Sequence, residues 1–380
     1  MNGHKYNVFW KGTENMRDVL FTLSVKKKPF FIVLAMFTVV LVIAGIVLSV
    51  VLYKPWYNGK WSGGFSAKDC LSIIKKGEDL KILQISDLHV DHTNGQHDLI
   101  WKNLEYLVSK SDIDLTVITG DWTSDADNLP ATETLIEVME RCSKPWAVIF
   151  GNHDSQGKLS RKDLASLFEK AEHCLFARGP EDLSGVGNYV INVYNHQDPS
   201  HLDASLILLD SHTDTNRTLQ YEPIYRDQVK WYEKNIVGLS AIYSAQKNNQ
   251  ATVLPSLLFQ HIPLKEYETA WNEGKIDTSK HLHGSNNEDV YSPVVNTGLF
   301  DKIVAAGSTK GVFCGHDHAN DSAVSYQGVL LAYAVQSGIC ESDPYAQKMK
   351  KGGNLITLKE DGTLTVEQVF HETAYSVKLK

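Results

Sequence analysis

Five short apolar runs, Ile82 to Ile85, Leu115 to Ile118, Ala147 to Phe150, Leu257 to Phe259 and Val312 to Cys314, are bounded by polar residues. Their length predicts buried strands. Between them lie segments with helical spacing. Leu99, Ile100, Leu104, Leu107 and Val108 make one apolar face, and Leu135, Ile136, Val138 and Met139 support a second. Ser160, followed by Asp163 ahead of Leu164, Leu167, Phe168 and Ala171, predicts a capped helix start with an acid in its first turn. Tyr189 to Tyr194 and Ser205 to Leu209 read as further strands, and Val229, Tyr232 and Ile236 share a helix face after Arg226. Gln327-Gly328 and Asp361-Gly362 mark turns between apolar runs, which predicts hairpins at the sheet edges. Strands alternating with helices place the chain in the α/β class.

One apolar run is of a different kind. Phe30 to Leu52 is 23 residues without a charge, apolar on every face and long enough to cross a bilayer. The 29 residues ahead of it and its length argue against a cleaved signal peptide, whose apolar part is about 7 to 15 residues. The pattern predicts a retained signal anchor. Lys26, Lys27 and Lys28 stand directly before the run, and the first 53 residues carry a net +4 against −12 for the remainder. The positive-inside rule then gives a single-pass type II topology: a cytosolic tail (1–29), a transmembrane anchor (30–53), a stalk rich in Gly, Ser and Lys (54–79) and one folded domain (80–377). That domain would lie outside the cell or in a secretory or endolysosomal lumen. Tyr53, Trp56, Tyr57 and Trp61 suit an interfacial aromatic belt, or equally the composition of a stalk.

The 380 residues, 43% of them hydrophobic, suffice for a sizeable core. The acidic outer portion lacks clustered Lys and Arg, which argues against a nucleic-acid partner. Five cysteines, Cys70, Cys142, Cys174, Cys314 and Cys340, would permit two disulfides with one left over in an oxidising compartment. Cys314 reads equally well as a small core hydrophobe. Asn216-Arg217-Thr218 and Asn320-Asp321-Ser322 are glycosylation sequons. Asn320 is the weaker candidate, because a glycan two residues from His318 would crowd the chemistry described next.

Each of the five apolar runs ends in residues suited to metal: Asp87-Leu88-His89, Gly120-Asp121, Gly151-Asn152-His153-Asp154, the isolated His261, and Gly315-His316-Asp317-His318. Open sheets place their chemistry at such strand ends. Taken together and in order, these residues resemble the calcineurin-like metallophosphoesterases, with the pattern Asp-x-His, Gly-Asp, Gly-Asn-His-Asp/Glu, His and Gly-His-x-His. The resemblance covers roughly residues 80 to 320, and every metal-ligand position is filled.

The resemblance implies a four-layer α/β/β/α sandwich carrying two metal ions, with the transmembrane helix ahead of it. One ion would be held by Asp87, His89, Asp121 and His318, the other by Asp121, Asn152, His261 and His316, with Asp121 shared. Imidazole and carboxylate suit Fe, Zn or Mn alike, as divalent or mixed-valence ions. Two such cations lower the pKa of bound water, supply hydroxide near neutral pH and clamp phosphate oxygens. His153 is implied as the group that contacts the phosphate or protonates the leaving oxygen, with Asp154 orienting it. For Asp154 and Asp317 the alternative role is a turn or an outer hydrogen bond. His92 and His97 read as surface histidines.

Purple acid phosphatases have a tyrosine three residues after the bridging aspartate and a glycine in the first motif. This chain has Ser124 and His89 at those positions, a departure that fits a non-purple branch. Phe259-Gln260-His261-Ile262-Pro263-Leu264 and Arg226-Asp227-Gln228-Val229-Lys230-Trp231-Tyr232 resemble a purple-acid-phosphatase-like group of plants and fungi. The expected activity is phosphomonoester hydrolysis. Phosphodiester hydrolysis of nucleotides or lipid head groups is the alternative, and a non-enzymatic receptor or adhesion domain that keeps metal is a lesser one. The polar stretch from His261 to Val294, with Trp271, His281 and His283, is expected to be either a substrate rim or a disordered insertion.

Overall fold

The computed structural model describes residues 38–42, 61–91, 97–215, 221–250, 252–338 and 348–371. The chain divides into two compact units, Met1–Trp56 and Tyr57–Lys380. In the first, 38–42 are helical and exposed, and the rest of the expected anchor lies outside the described residues. No helix among the described residues is long and apolar enough to cross a membrane.

In the second unit the strands are β1 (Leu71–Ile74), β2 (Leu80–Ile85), β3 (Leu115–Thr119), β4 (Trp146–Ile149), β5 (Tyr189–Tyr194), β6 (Leu202–Leu208) and β7 (Ser256–Phe259). They continue as β8 (His281–His283), β9 (Thr309–Cys314), β10 (Ala323–Tyr326), β11 (Val329–Tyr333), β12 (Gly352–Leu358) and β13 (Leu364–Phe370). The helices are α1 (His97–Lys110), α2 (Asn128–Arg141), α3 (Arg161–Phe168), α4 (Arg226–Gln246), α5 (Glu266–Ile276) and α6 (Leu299–Ala306). One sheet has eight strands in the order β1-β5-β6-β7-β9-β11-β10-β8, and the other five in the order β13-β12-β2-β3-β4.

The strands that carry the motifs run parallel to one another within each sheet: β2, β3 and β4 in one, β7 and β9 in the other. Alternation of side chains sorts the core into two faces. Leu206, Leu208, Phe259 and Phe313 pack in one cluster with Ile82, Ile85 and Ile356 of the five-stranded sheet, a cluster that Leu104, Leu135 and Phe168 of α1, α2 and α3 also join. The intervening Ile207, Leu258, Val312 and Leu331 face a second cluster with Val229 and Tyr232 of α4, Tyr267 of α5 and Ile303 of α6. Helices, sheet, sheet and helices therefore form four layers. Buried amides tie the sheets together: Gln84 donates to the Cys314 carbonyl (3.1 Å), and Asn354 donates to the Tyr333 carbonyl (2.8 Å).

The capping box at Ser160 and Asp163 forms as the sequence predicts, with both reciprocal bonds present. β10 with β11 and β12 with β13 are antiparallel hairpins, and β13 is a sheet edge. The stalk boundary moves. Residues 61–79 belong to the folded unit: Trp61 is buried in the second cluster, and β1 pairs in parallel with β5. Leu71 and Ile73 point inward, but Ser72 interrupts them and Gly, Ser and Lys surround the strand, so no apolar run stands out.

The stretch from His261 to Val294 is folded, with α5 and β8 inside it, which removes the reading as a disordered insertion. Cys70, Cys142, Cys174 and Cys314 are free thiols, so no disulfide exists among the described cysteines; Cys340 lies outside them. Cys314 is wholly buried in β9, as a core hydrophobe.

Candidate metal centre

Asp87 and His89 follow β2, Asp121 follows β3, Asn152 and His153 follow β4, His261 follows β7, and His316 and His318 follow β9. Four of these leave their strands through left-handed backbone: Asp87 (φ 55°), His89 (φ 44°), Asp121 (φ 52°) and His316 (φ 78°). Such angles are uncommon outside glycine and carry a cost of order 1–3 kcal/mol each, so they persist where the fold enforces them. Here they turn side chains at the ends of β2, β3 and β9 toward one point. Gly120, itself left-handed, leaves room for the neighbouring strand end: a Cβ there would lie 2.5 Å from the Gly151 amide nitrogen.

The side chains gather in two groups of potential ligands, Asp87 with His89 and His318, and Asp121 with His261 and His316. Asp121 stands between them, its Oδ2 3.6 Å from His89 Nε2 and 3.1 Å from His261 Nε2. His318 Nε2 and His89 Nε2 lie 3.5 Å and 3.7 Å from Asp87 Oδ1. Asn152 Oδ1 sits 3.1 Å from His261 Nε2, which joins it to the second group. All seven expected metal residues are thus brought together.

The donor set fits a pair of cations. His89 Nε2, Asp121 Oδ2 and His316 Nε2 are buried and make no hydrogen bond within the protein. Leaving such atoms unsatisfied costs about 1–3 kcal/mol each, and three converge here. His261 donates from Nδ1 to the Thr119 carbonyl (2.7 Å), which turns Nε2 toward the centre in the ligating tautomer. Ser211 Oγ accepts from the His261 and Ile262 amides (3.2 and 2.9 Å) and fixes that strand end.

Burial and the nearby His261 push His316 down to about 3, and burial with His318 lowers His89, so both are neutral imidazoles ready to ligate. Burial works against charge on His261, but the Asp121 carboxylate raises it to about 9. For Asp121, burial opposes ionisation while the charge of the adjoining His261 holds the carboxyl well below its usual range. A cation would take the place of the His261 proton beside that carboxylate.

One expected role changes on contact with the geometry. Asp154 does not touch His153. Its Oδ2 accepts from the Asp121 and Gly151 amides (2.8 and 2.7 Å) and its Oδ1 from the Trp122 and Thr123 amides (2.8 and 3.3 Å). It staples the β3 and β4 loops together, which fits the outer hydrogen-bond reading and corrects its assignment as the orienting group. His153 is instead bonded through Nδ1 to Gln156 Oε1 (2.9 Å), and its amide donates to Asp121 Oδ1 (2.8 Å). Its ring lies 5.3 Å from that of His89.

Asp317 also points away from the ligands, accepting from the Tyr333 hydroxyl (2.6 Å) and the Tyr291 amide (3.3 Å). Burial pushes its carboxyl up to about 7. Glu288 accepts from the Ala319 amide (2.6 Å), so the segment after β8 braces the loop that carries His316 and His318. Asn320 is fully buried, its Oδ1 accepting from the Asn287 and Glu288 amides, which leaves no place for a glycan there; Asn216 lies outside the described residues. His97 opens α1, and His92 lies outside the described residues.

Several supporting residues carry no motif. Arg161 donates to Asp210 Oδ1 (2.5 Å), the Gly151 carbonyl (2.8 Å) and the His212 carbonyl (2.6 Å), joining α3 to the β4 and β6 loops. Tyr221 packs edge-on against His316, with ring centroids 4.7 Å apart.

Two layered sheets whose parallel strand ends aim seven imidazole, carboxylate and amide donors at one buried point define an α/β protein with a two-metal type of site. The chain belongs to the calcineurin-like phosphoesterase family, whose profile matches residues 80–320. That family consists of hydrolases with a dinuclear metal centre. Among curated relatives, the chain is similar to probable inactive purple acid phosphatase 14 of Arabidopsis thaliana, at 27% identity over 68% of this chain and 70% of that one. It is also similar to phosphatase DCR2 of Saccharomyces cerevisiae, at 30% identity over 63% of this chain and 44% of that one. Among solved structures, a dimetal phosphatase from Danio rerio aligns with TM-score 0.48 and 11% identity, over 76% of this chain and 95% of that one.

Proposed function

We propose that the chain is a membrane-anchored phosphomonoesterase whose domain after the anchor hydrolyses its substrate outside the cytosol. The observation that carries the catalytic part is the convergence of His89 Nε2, Asp121 Oδ2 and His316 Nε2, all buried and without hydrogen-bond partners, beside a solvent-reachable His153.

When bound, a pair of Fe, Zn or Mn ions would polarise the phosphoester and furnish a nucleophile from water near neutral pH. Asp87, His89, Asp121 and His318 would hold one ion, and Asp121, Asn152, His261 and His316 the other. The protein's own contribution begins with Asp154, which keeps the two strand ends in register. His153 then meets the phosphate or gives a proton to the leaving oxygen. Asp87, His89, Asp121, His261 and Asn152 are almost fully buried, while His153, His316 and His318 are partly exposed, so substrate approaches from the histidine side.

The names of the relatives point two ways, one a phosphatase and others probable inactive phosphatases. Retention of every ligand-type residue favours turnover here. Comparison of p-nitrophenyl phosphate with its bis ester, followed by nucleotides and phospholipid head groups, tests the monoester preference. Faster hydrolysis of the bis ester would favour the diesterase reading. The uncharged run from Phe30 to Leu52 and the basic residues before it support the anchor and its type II orientation.

A further inference from the structure

Gln156 lies outside every motif that holds the candidate ligands, yet it is the residue bonded to the His153 ring. Its Oε1 is 2.9 Å from His153 Nδ1, and its Nε2 donates to Asp214 Oδ1 at 2.9 Å. The loop bearing Asp214 is tied back to the site, since Thr213 Oγ1 lies 2.9 Å from Asp214 Oδ1 and 3.2 Å from the Asn152 carbonyl oxygen.

These contacts fix the direction of every proton along the line. A carboxylate only accepts, so the amide nitrogen of Gln156 must face Asp214. The amide oxygen then faces His153, and an oxygen there can only accept. His153 Nδ1 must therefore carry hydrogen, which leaves Nε2 as the nitrogen that exchanges a proton with anything beyond the protein. Reversing the amide would set its oxygen against the Asp214 carboxylate, a repulsive contact between two acceptors.

We propose that Gln156, held by Asp214, is a positioning residue that fixes the His153 tautomer and aims Nε2 at the leaving group. This rests on the reading of His153 as the proton donor. In the step itself, a hydroxide oxygen derived from water bonds to phosphorus as the bond from phosphorus to the leaving oxygen breaks with its electron pair on the leaving oxygen. The Nε2 proton passes to that oxygen, and His153 returns from imidazolium to the neutral ring protonated at Nδ1. Gln156 neither gains nor loses a proton. An amide in this place holds the ring without adding a charge to it, where the family resemblance led to the expectation of a carboxylate, Asp154.

The test uses the metal-loaded full chain with nitrogen-isotope-labelled histidine, the His153 signal being assigned by its loss in His153→Ala. Multiple-bond imidazole spectra should give the Nδ1-protonated tautomer in the wild type. Gln156→Ala and Asp214→Ala, which attack the line from opposite ends, should both shift the population toward the Nε2-protonated form. A wild-type ring protonated at Nε2, or a tautomer unmoved in both variants, overturns the proposal. Kinetics provide the second arm. Gln156→Ala should keep its metal and KM while kcat falls roughly 10-fold, part of the ~10²–10⁴ a general acid contributes. The fall should be larger for phenyl phosphate than for p-nitrophenyl phosphate, whose leaving group needs less protonation. Equal losses for both esters count against it. If the wild type hydrolyses no phosphoester, the catalytic reading falls, and the spectra still decide whether Gln156 sets the tautomer.

Discussion

Gly151 has no side chain because the Asp121 carboxylate fills the space where a Cβ would stand. Gly151→Ala must therefore displace the residue placed between the two ligand groups, and metal binding should weaken by roughly 10–100-fold, the range for disturbed support of a metal ligand. Equilibrium dialysis against Zn or Mn measures this directly, with unchanged affinity as the contrary result. At this scale the ligands were legible in the sequence, because each stands within a few residues of a strand end in a compact motif. Their supports were less so. Asp154 sits next to His153 in the chain, but its carboxylate is drawn under the loops by four amides. The residue that does hold His153 is three positions on, and its own anchor is 58 positions away. Nothing in local spacing announces such a pairing.

Between elements, the ion pair of Asp210 and Arg161 carries much of the geometry, because it joins the loop after β6 to α3 and, through the Gly151 carbonyl, to the metal loop. Both partners are largely buried, at 0% and 12% side-chain exposure. Asp210→Ala should leave Arg161 uncompensated and lower stability by about 3–5 kcal/mol at neutral pH, measured by denaturant unfolding. Burial alone would raise the Asp210 pKa, but Arg161 and His212 hold it below the usual carboxylate value. A depressed folded-state pKa contributes stability that is full above the unfolded value, near ~4, and is lost as pH falls through the lower folded value. The gap between wild type and variant should therefore be constant above about pH 4 and narrow below it. The segment after β8 makes a second case. Glu288→Ala removes the acceptor of the Ala319 amide and should loosen the His318 loop, raising the metal dissociation constant while the fold persists by circular dichroism. Apolar pattern revealed the long helices and buried strands, whereas β1, broken by the polar Ser72, and β8, a single leucine between two histidines, offer no apolar run.

For the whole molecule, the two-sheet architecture and the convergence of five strand ends follow from an apolar pattern that repeats through the chain. The start of the folded unit does not, since Trp61 and β1 are held by contacts to distant strands and a helix rather than by local composition. Topology is a separate prediction: in sealed vesicles, protease should cut the first 29 residues and spare the large domain. Cleavage of the large domain with the tail protected would reverse the orientation. The central claim, a two-metal hydrolase whose His153 works beside the ions rather than holding them, is tested most directly by measuring phosphoester turnover against metal content in wild type and His153→Ala. The account predicts two metal ions per chain in both proteins, hydrolysis of p-nitrophenyl phosphate by the wild type, and a loss of ~10²–10⁴ in kcat in the variant. A fully metal-loaded wild type that hydrolyses no phosphoester at any pH, or a His153→Ala protein as active as the wild type, would contradict it.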